Sequence, residues 1–491
     1  MSKELPFSAV RARPHDRWSP RNLAWIIAGA GLLATSYNFF RPSFSLGSQK
    51  KLYAGQSVWN DADNPARVKN FRQCAIDNLL QTGLPFMENV KPITVKDFVE
   101  RRDRLARALV AEGADAFVVE PGYTFKYYGN VSQPEWEVWE PEERPFLMVV
   151  RPFHDEATGE VKANTTFLCP SFEAERARLL GMPFPEEISI VPWEEHWDPY
   201  AILRQSDVFF GLRRPARLMV DEEMRDFIQR GLGSAGFEVV GLQGQVEEVR
   251  QIKTSSEVDI LRAVNTGTVE AVRQMRKCLY PGLTENEIAA ALDDALRAAG
   301  MDPFFDIVLF DENASNPHGG TNGSKVLEPE TLVLIDVGAH LYGYSSDICR
   351  TFFPPFLQKP SKGDVLSPRM TEKLKASHSV WDIVFEAQTR SIEQMRENAT
   401  AASVDIAARD IISHAGYGEA FTHRVGHAHE SPYLNKGNTA NLLKTGMTFT
   451  SEPGIYLVDK FGVRHEDILL VRGDESPELL TGSRALGPWE P

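Results

Sequence analysis

Cysteine is scarce in this chain of 491 residues. Cys74, Cys169, Cys278 and Cys349 lie far apart with no CxxC spacing, so neither a disulfide framework nor a zinc ribbon follows from them. Basic charge is in the minority, with 53 Lys and Arg against 68 Asp and Glu and a net charge of −15. That balance argues against a nucleic-acid partner and for solubility. No internal repeat is visible. Compositional extremes are missing as well, since 42% hydrophobic and 25% charged residues is ordinary globular usage. The length exceeds one typical domain, so two domains plus an extension are expected.

Long apolar runs are missing with one exception, Leu23 to Phe40, bounded by Arg21 and Arg41. At ~1.5 Å per residue this run spans close to the thickness of a hydrocarbon core. It also lacks the polar face of an amphipathic core helix. Arg11, Arg13, Arg17 and Arg21 precede it, which predicts a cytoplasmic tail over 1–22, a signal anchor over 23–40 and a lumenal or extracellular body. A signal peptide cleaved near Ala34-Thr35-Ser36, giving a secreted body, is the alternative. Sequons at Asn130, Asn164, Asn313, Asn322 and Asn398 are compatible with a glycosylated lumenal body.

Residues 41–91 read as a stem with a helix near Pro65–Leu80. From Thr94 apolar residues recur at helix spacing, and short strands follow at 116–119, 145–150, 166–168 and 217–220, with helical stretches near 173–180 and 222–232. Alternating strands and helices predict a small α/β domain over 92–245. The second domain, 246–491, opens with a helix from about Ser255 and another at Thr284, where Thr284-Glu-Asn-Glu287 is a capping box. Its later strands are joined by tight Gly- and Asn-containing loops, which predicts an antiparallel, α+β arrangement with helices near 369–396 and 403–415.

Three segments of that second domain place carboxylates inside apolar, strand-like runs. They are LVLIDVGAHLYGYSSDICRTF at 332–352, TSEPG at 450–454 and VRHEDILLV at 463–471. The carboxylates are Asp336, Asp347, Glu452 and Glu466, and only Arg350, Lys460 and Arg464 are near them in sequence. A buried carboxylate is costly unless paired or bound to a cation. Any one of these acids alone would more often form a surface turn or a salt bridge. Four together point to a carboxylate-bridged pair of divalent metals, with the His-rich stretch 423–429 supplying a nitrogen ligand. A hairpin centred on Leu341–Gly343 would set the faces of Asp336 and Asp347 side by side. Mixed oxygen and nitrogen ligation suits Mn²⁺, Co²⁺, Fe²⁺ or Zn²⁺.

Asp336, Asp347, His427, Glu452 and Glu466, in that order, resemble the five-ligand set of the pita-bread metallopeptidases, the group of aminopeptidase P, prolidase and methionine aminopeptidase. Arg250–Val258, Tyr280–Glu285, Ser315-Asn-Pro-His-Gly319 and Phe461–Asp467 extend the resemblance to most of the chain from about residue 92. It implies a pita-bread catalytic domain behind a creatinase-like N-terminal domain, which methionine aminopeptidases lack. The implied enzyme is a dinuclear-metal hydrolase, with manganese the leading metal. It would cleave an N-terminal Xaa-Pro amide through a metal-bridging hydroxide, as an aminopeptidase or dipeptidase. A peptide or small molecule is the implied substrate and a homodimer the implied assembly. His318, His423 and His429 match substrate-binding and charge-stabilising histidines, and Glu452 doubles as a proton shuttle. Because one fold hosts several reactions, a dimethylsulfoniopropionate-lyase-like or creatinase-like enzyme and a non-catalytic binding module stay open.

The chain departs from the family pattern twice. Where relatives carry a longer Gly-rich stretch like GHGIGLExHE, this chain has only Gly426-His427-Ala428-His429-Glu430. Cys349 also stands where a DITRTF-like segment has Thr. It reads as a small buried residue, with a soft-metal ligand as the alternative.

Overall fold

The computed structural model describes residues 65–491 except 138–143, 213, 362–366, 429 and 431. The tail at 1–22, the apolar stretch at 23–40 and the expected stem up to residue 64 lie outside the described residues. Among those described, no helix is long and apolar enough to cross a membrane.

Helix α1 (Pro65–Gln81) falls inside the expected stem, yet it is part of the globular body. Phe71, Ala75 and Leu79 recur every four residues, which puts them on one helical face. All three are buried in the same apolar cluster as residues of two later helices and three later strands. Cys74 on this helix is disulfide-bonded to Cys278, 204 residues away in sequence. Residues 65–81 are therefore a docked helix and not a stand-off stem. The cysteine pairing had no sequence signal because only tertiary packing brings the two segments together.

The N-terminal part follows as α2 (Val95–Glu112), β1 (Ala116–Val119), α3 (Tyr123–Gly129), α4 (Gln133–Trp136), β2 (Leu147–His154), β3 (Val161–Pro170), α5 (Ala174–Leu179), β4 (Ser189–Trp193), α6 (Pro199–Gln205), β5 (Arg217–Val220), α7 (Asp226–Ser234), β6 (Glu238–Gly241) and α8 (Gly244–Gln251). Its six strands form one sheet in the order β4-β3-β2-β1-β5-β6, with β1–β2 and β2–β3 antiparallel and the other pairs parallel. Side chains alternate across a strand, so Phe117 and Val119 enter one buried cluster while Ala116 and Val118 enter another on the opposite face.

The C-terminal part comprises α9 (Ser255–Arg276), α10 (Glu285–Ala298), β7 (Asp302–Phe310), β8 (Val333–Leu341), β9 (Tyr344–Ser345), β10 (Ile348–Phe352), α11 (Pro368–Gln394), α12 (Ala401–His414), β11 (Thr448–Ser451), β12 (Gly454–Leu457), β13 (Phe461–Arg464), β14 (Asp467–Leu470) and β15 (Glu478–Leu479). Capping boxes Thr94/Asp97, Thr254/Glu257 and Thr284/Glu287 start α2, α9 and α10 by satisfying backbone N–H groups that have no partner within the helix. Its strand ladders are antiparallel: β10-β8-β7, β11-β14-β15 and β12-β13. The helices α11 and α12 cover β11 to β14 from one side.

A buried cation joins the two parts. Arg101 of α2 is 3% exposed, donates to the Tyr127 carbonyl at 3.0 Å and bonds the Tyr344 hydroxyl. It also lies 3.4 Å from Glu257, whose other oxygen caps α9. Removing one partner of such a buried pair typically costs about 3–5 kcal/mol, so this contact fixes the N-terminal sheet over the turn between β8 and β9.

Candidate metal centre

The acids expected at the site are set by strand register. Asp336 lies mid-β8, opposite Ile307 of β7 and Cys349 of β10. Asp347 immediately precedes β10 and its N–H is held by Asn265 Oδ1 at 3.3 Å. Residues i and i+2 of a strand share a face, so Asp347 is on the face of Cys349, which is the face of Asp336. Glu466 falls in the break between β13 and β14, and its N–H donates to the Cys349 carbonyl at 3.1 Å. Glu452 follows β11 and donates its N–H to the Val425 carbonyl at 2.7 Å. His427 is fixed to β11 from both sides. Its N–H reaches Thr450 Oγ1 at 3.0 Å, and its carbonyl accepts from Thr450 N–H at 2.8 Å.

These placements bring the side chains together. His427 Nε2 is 3.4 Å from Asp347 Oδ2 and 3.4 Å from Glu452 Oε1. One ligating atom each of Asp347, His427 and Glu466 lie within 4.8 Å of one another. Asp336 Oδ2 accepts from Arg464 Nη2 at 2.5 Å, whereas Asp336 Oδ1 and Glu466 Oε1 are buried with no hydrogen-bond partner. Burial raises the carboxyl pKa of all four acids. At Asp347 and Glu466 the neighbouring carboxylates add to it, and at Asp336 and Glu452 the Arg464 guanidinium partly offsets it. Glu452 is pushed up to about 7. Orphaned acceptor oxygens, an oxygen-rich donor set with one imidazole, and unbalanced negative charge fit divalent cations.

The histidines are positioned by the other side of the cluster. Arg464 Nη1 donates to the Tyr456 hydroxyl at 2.9 Å and to the Pro317 carbonyl at 3.1 Å. That second bond ties the exposed His318 loop to the acids, and His318 is close enough to act electrostatically on both Asp336 and His423. His423 lies 2.7 Å from the Tyr456 hydroxyl through Nε2 and 4.0 Å from Glu452 Oε2 through Nδ1. Burial lowers its pKa to about 3, so it is a neutral imidazole. Asp405 and Arg409 of α12 hold the segment in place, accepting from Val425 N–H and donating to the Phe421 and His423 carbonyls.

The contracted segment closes on itself, with Gly426 bridged to Leu434. Any side chain at Gly426 would meet the Thr450 carbonyl at 2.1 Å, so glycine is required there. His429 lies outside the described residues. Glu430 forms a 2.9 Å ion pair with Lys253, in the connection between α8 and α9. Cys349 packs against Leu309, Ala314 and Leu334, and burial raises its thiol pKa well above the usual value, as expected of a small buried residue. Sequence reading did not find the Lys253 pairing or Tyr456. Lys253 sits in the Arg250–Val258 motif but carries no mark of its target, and Tyr456 reads as an ordinary strand residue.

Metal-free, this cluster has a pH signature. Glu452 has a folded pKa near 7 against 4.5 unfolded, so the folded state binds the proton more tightly. Stability is full below the unfolded value and is lost as pH rises through the folded one. The loss is on the order of 3 kcal/mol. In chelator, Glu452→Gln is expected to leave Tm unchanged near pH 4 and to raise it relative to wild type above pH 7. Differential scanning calorimetry across that range checks this, and a difference independent of pH would contradict it.

A family model described as metallopeptidase family M24 matches residues 259–473. An uncharacterized peptidase of Schizosaccharomyces pombe is 36% identical over 437 residues, covering 87% of this chain and 90% of that protein. Among solved structures, a prolidase from Thermococcus sibiricus is similar with TM-score 0.63 and 27% identity, covering 79% of this chain and 97% of that one. An Xaa-Pro dipeptidase from Bacillus anthracis is similar with TM-score 0.61 and 25% identity, covering 79% and 98%. The α+β pita-bread fold expected from the resemblance is therefore present.

The expected placement as a single-pass membrane protein with a lumenal, extracellular or secreted body is corrected by these findings. No described helix is long and apolar enough to cross a membrane, and the body matches prolidases and dipeptidases along nearly their whole length. The expected glycoprotein character gains no support from these findings, and one sequon side chain, Asn313, donates to both oxygens of Glu285.

Proposed function

The chain belongs to metallopeptidase family M24, and from that premise we propose that it is a dinuclear-metal Xaa-Pro dipeptidase or aminopeptidase. We assign residues 92–245 as its N-terminal domain and 246–491 as its catalytic domain. The observation that carries the reading is the convergence of three buried carboxylates, the half-buried Asp347 and one imidazole beside the Arg464 guanidinium, with two carboxylate oxygens left unpartnered.

Asp336, Asp347, His427, Glu452 and Glu466 would hold two divalent ions, with manganese the first candidate. Bound there, divalent metals supply Lewis acidity toward a carbonyl and acidify water. The chain's own residues do the rest. Glu452, flanked by His423 and His427, accepts a proton and returns it to the departing nitrogen. His423 is kept neutral by burial, and His318 borders the acids from the exposed side, where both bind the substrate and stabilise developing charge. Arg464 neutralises Asp336 and orients Tyr456 against His423. A cavity of about 690 Å³ opens beside Asp347 and His427, within the range of small-molecule and short-peptide sites. The pairing of Glu430 with Lys253 favours a second reading, a non-peptide substrate, because it directs this carboxylate to the domain connection.

The deciding experiment is hydrolysis by the purified chain, incubated with Mn²⁺, of matched peptides with proline or alanine in second position. Chelator-sensitive cleavage of the proline peptides is expected, with His318→Ala lowering kcat far more than Tm. Cleavage of the alanine peptides alone, or of neither, would reject the reading.

A further inference from the structure

The six-stranded sheet of the N-terminal part has a point at which its connections diverge. From β1 the chain passes through α3 and α4 to β2 on one side. From the neighbouring parallel strand β5 it passes through α7 to β6 on the other. Diverging loops open a crevice at the carboxyl ends of such a strand pair, the place where open α/β sheets bind ligands. A cavity of about 140 Å³ lies there, separate from the one beside the candidate metal centre. Arg250 lines the larger cavity and turns its guanidinium toward Asp221 of the smaller one.

The first residue past each of the two strands is an acid. Glu120 follows β1 and Asp221 follows β5, and both are buried in the cavity wall. Glu120 is committed, since Oε1 accepts from Arg225 N–H at 2.7 Å and Oε2 pairs with the Arg225 guanidinium. Asp221 is satisfied on one side only. Its Oδ1 accepts from Glu223 N–H at 2.7 Å, whereas Oδ2 is buried with no hydrogen-bond partner. The Arg250 guanidinium is 3.9 Å from it, beyond hydrogen-bond reach, and donates to Thr124 Oγ1 instead. In a side chain only 3% exposed, such an oxygen is costly unless a donor or cation meets it.

Glu223 brings a second carboxylate from the exposed lip. Its Oε2 lies 3.4 Å from where a Cβ on Gly122 would stand, so the group is turned back over the turn after β1. The crevice walls and then Asp221 raise its carboxyl pKa, and Arg250 offsets this only in part. Three carboxylates thus face two guanidiniums, and Arg250 also answers to Glu430. Thr124 and Gln133 line the same cavity and can offer oxygen, and among the described residues no histidine or cysteine does so. An all-oxygen set suits hard cations over transition metals. Calcium takes many protein oxygens, whereas magnesium is held by one or two carboxylates and keeps several waters. With Glu120 committed, two carboxylates remain. At ~30 Å³ per water the cavity has room for about four waters. Those proportions suit magnesium.

We infer that the crevice between the ends of β1 and β5 binds a hydrated Mg²⁺ through Asp221 Oδ2 and the Glu223 carboxylate, a cation site apart from the catalytic acids. It does not depend on the peptidase reading.

The test is titration calorimetry on the full chain, incubated with Mn²⁺, dialysed, and then titrated with Mg²⁺. One Mg²⁺ binding event is expected in wild type, with the Mn²⁺ content unchanged. Asp221→Asn and Glu223→Gln are each expected to weaken it roughly 10-fold or more. Glu223 is at the surface, so Glu223→Gln decides the matter even where Asp221→Asn fails to fold, which Tm without Mg²⁺ identifies. No event in wild type, release of Mn²⁺ as Mg²⁺ binds, or an event that either folded variant leaves unchanged would overturn the inference. An equal event with methylammonium in place of Mg²⁺ would overturn it as well, by assigning the crevice to an organic ammonium.

Discussion

Asp347→Ala is expected to abolish loading of at least one divalent ion and to cut hydrolysis by more than about 100-fold. Removing even an outer partner of a metal ligand typically costs 10- to 100-fold in affinity or activity, and Asp347 is central to the cluster. Its carboxylate is 3.4 Å from His427 Nε2 and shares a 4.8 Å sphere with His427 and Glu466. Without metal the same substitution acts in the opposite sense on stability. The Asp347 carboxyl is raised well above its usual pKa by burial and by repulsion from Asp336 and Glu452, so deleting it relieves strain in the empty cluster. The metal-free variant should therefore be at least as heat-stable as the metal-free wild type, which separates ligand loss from misfolding. Elemental analysis and calorimetry on the same samples read both effects, with Glu430→Gln as a variant expected to keep its metal. Full loading of Asp347→Ala, or a wild type that takes up no Mn²⁺, Co²⁺ or Zn²⁺, would remove the metallohydrolase mechanism.

Inserting Gly-Ile-Gly-Leu-Glu after His427 is expected to raise kcat/KM for Xaa-Pro peptides on the order of 100-fold, the scale set by a catalytic group displaced by ~1 Å. The short segment closed by the Gly426–Leu434 bridge leaves Glu430 tied to Lys253 at 2.9 Å. A longer loop gives His429 and Glu430 freedom to turn toward the acids, as the family pattern implies for them. The anchoring of His427 by Thr450 on both backbone atoms should survive, so metal content should stay constant while turnover changes. Steady-state kinetics on both lengths at equal metal content checks this. Equal activity would show that Glu430 serves the Lys253 pairing and not the chemistry. Activity confined to the longer form would mark the chain as a peptidase impaired by this contraction.

The clustering of the four acids was legible because each interrupts an apolar strand-like run, and a strand's two-residue period fixes which face a side chain takes. The expected hairpin at Leu341–Gly343 corresponds to the observed turn between β8 and β9, and Cys349 opposite Asp336 puts Asp336 and Asp347 on one face. Helix starts at Thr94, Thr254 and Thr284 were legible for a related reason, since a capping box is a local contact three residues long. The apolar stretch at 23–40 was legible only as a pattern, and the membrane placement drawn from it did not survive comparison with the body's relatives. The docked helix α1 went unrecognised as part of the core because Phe71, Ala75 and Leu79 look the same whether they face a partner within the chain or outside it.

Local chemistry in the sequence determined which residue types could form the candidate centre, the strands and caps that carry them, and the family to which the chain belongs. The tertiary structure alone decided which charges are already spent. Arg464 goes to Asp336, Lys253 to Glu430 and Arg101 to Glu257. It also decided that Cys74 meets Cys278. The physical reason is range: periodicity and capping act over a few residues, whereas these pairings join positions from 128 residues to 204 residues apart, set by how sheets and helices stack and not by any motif around the residues themselves.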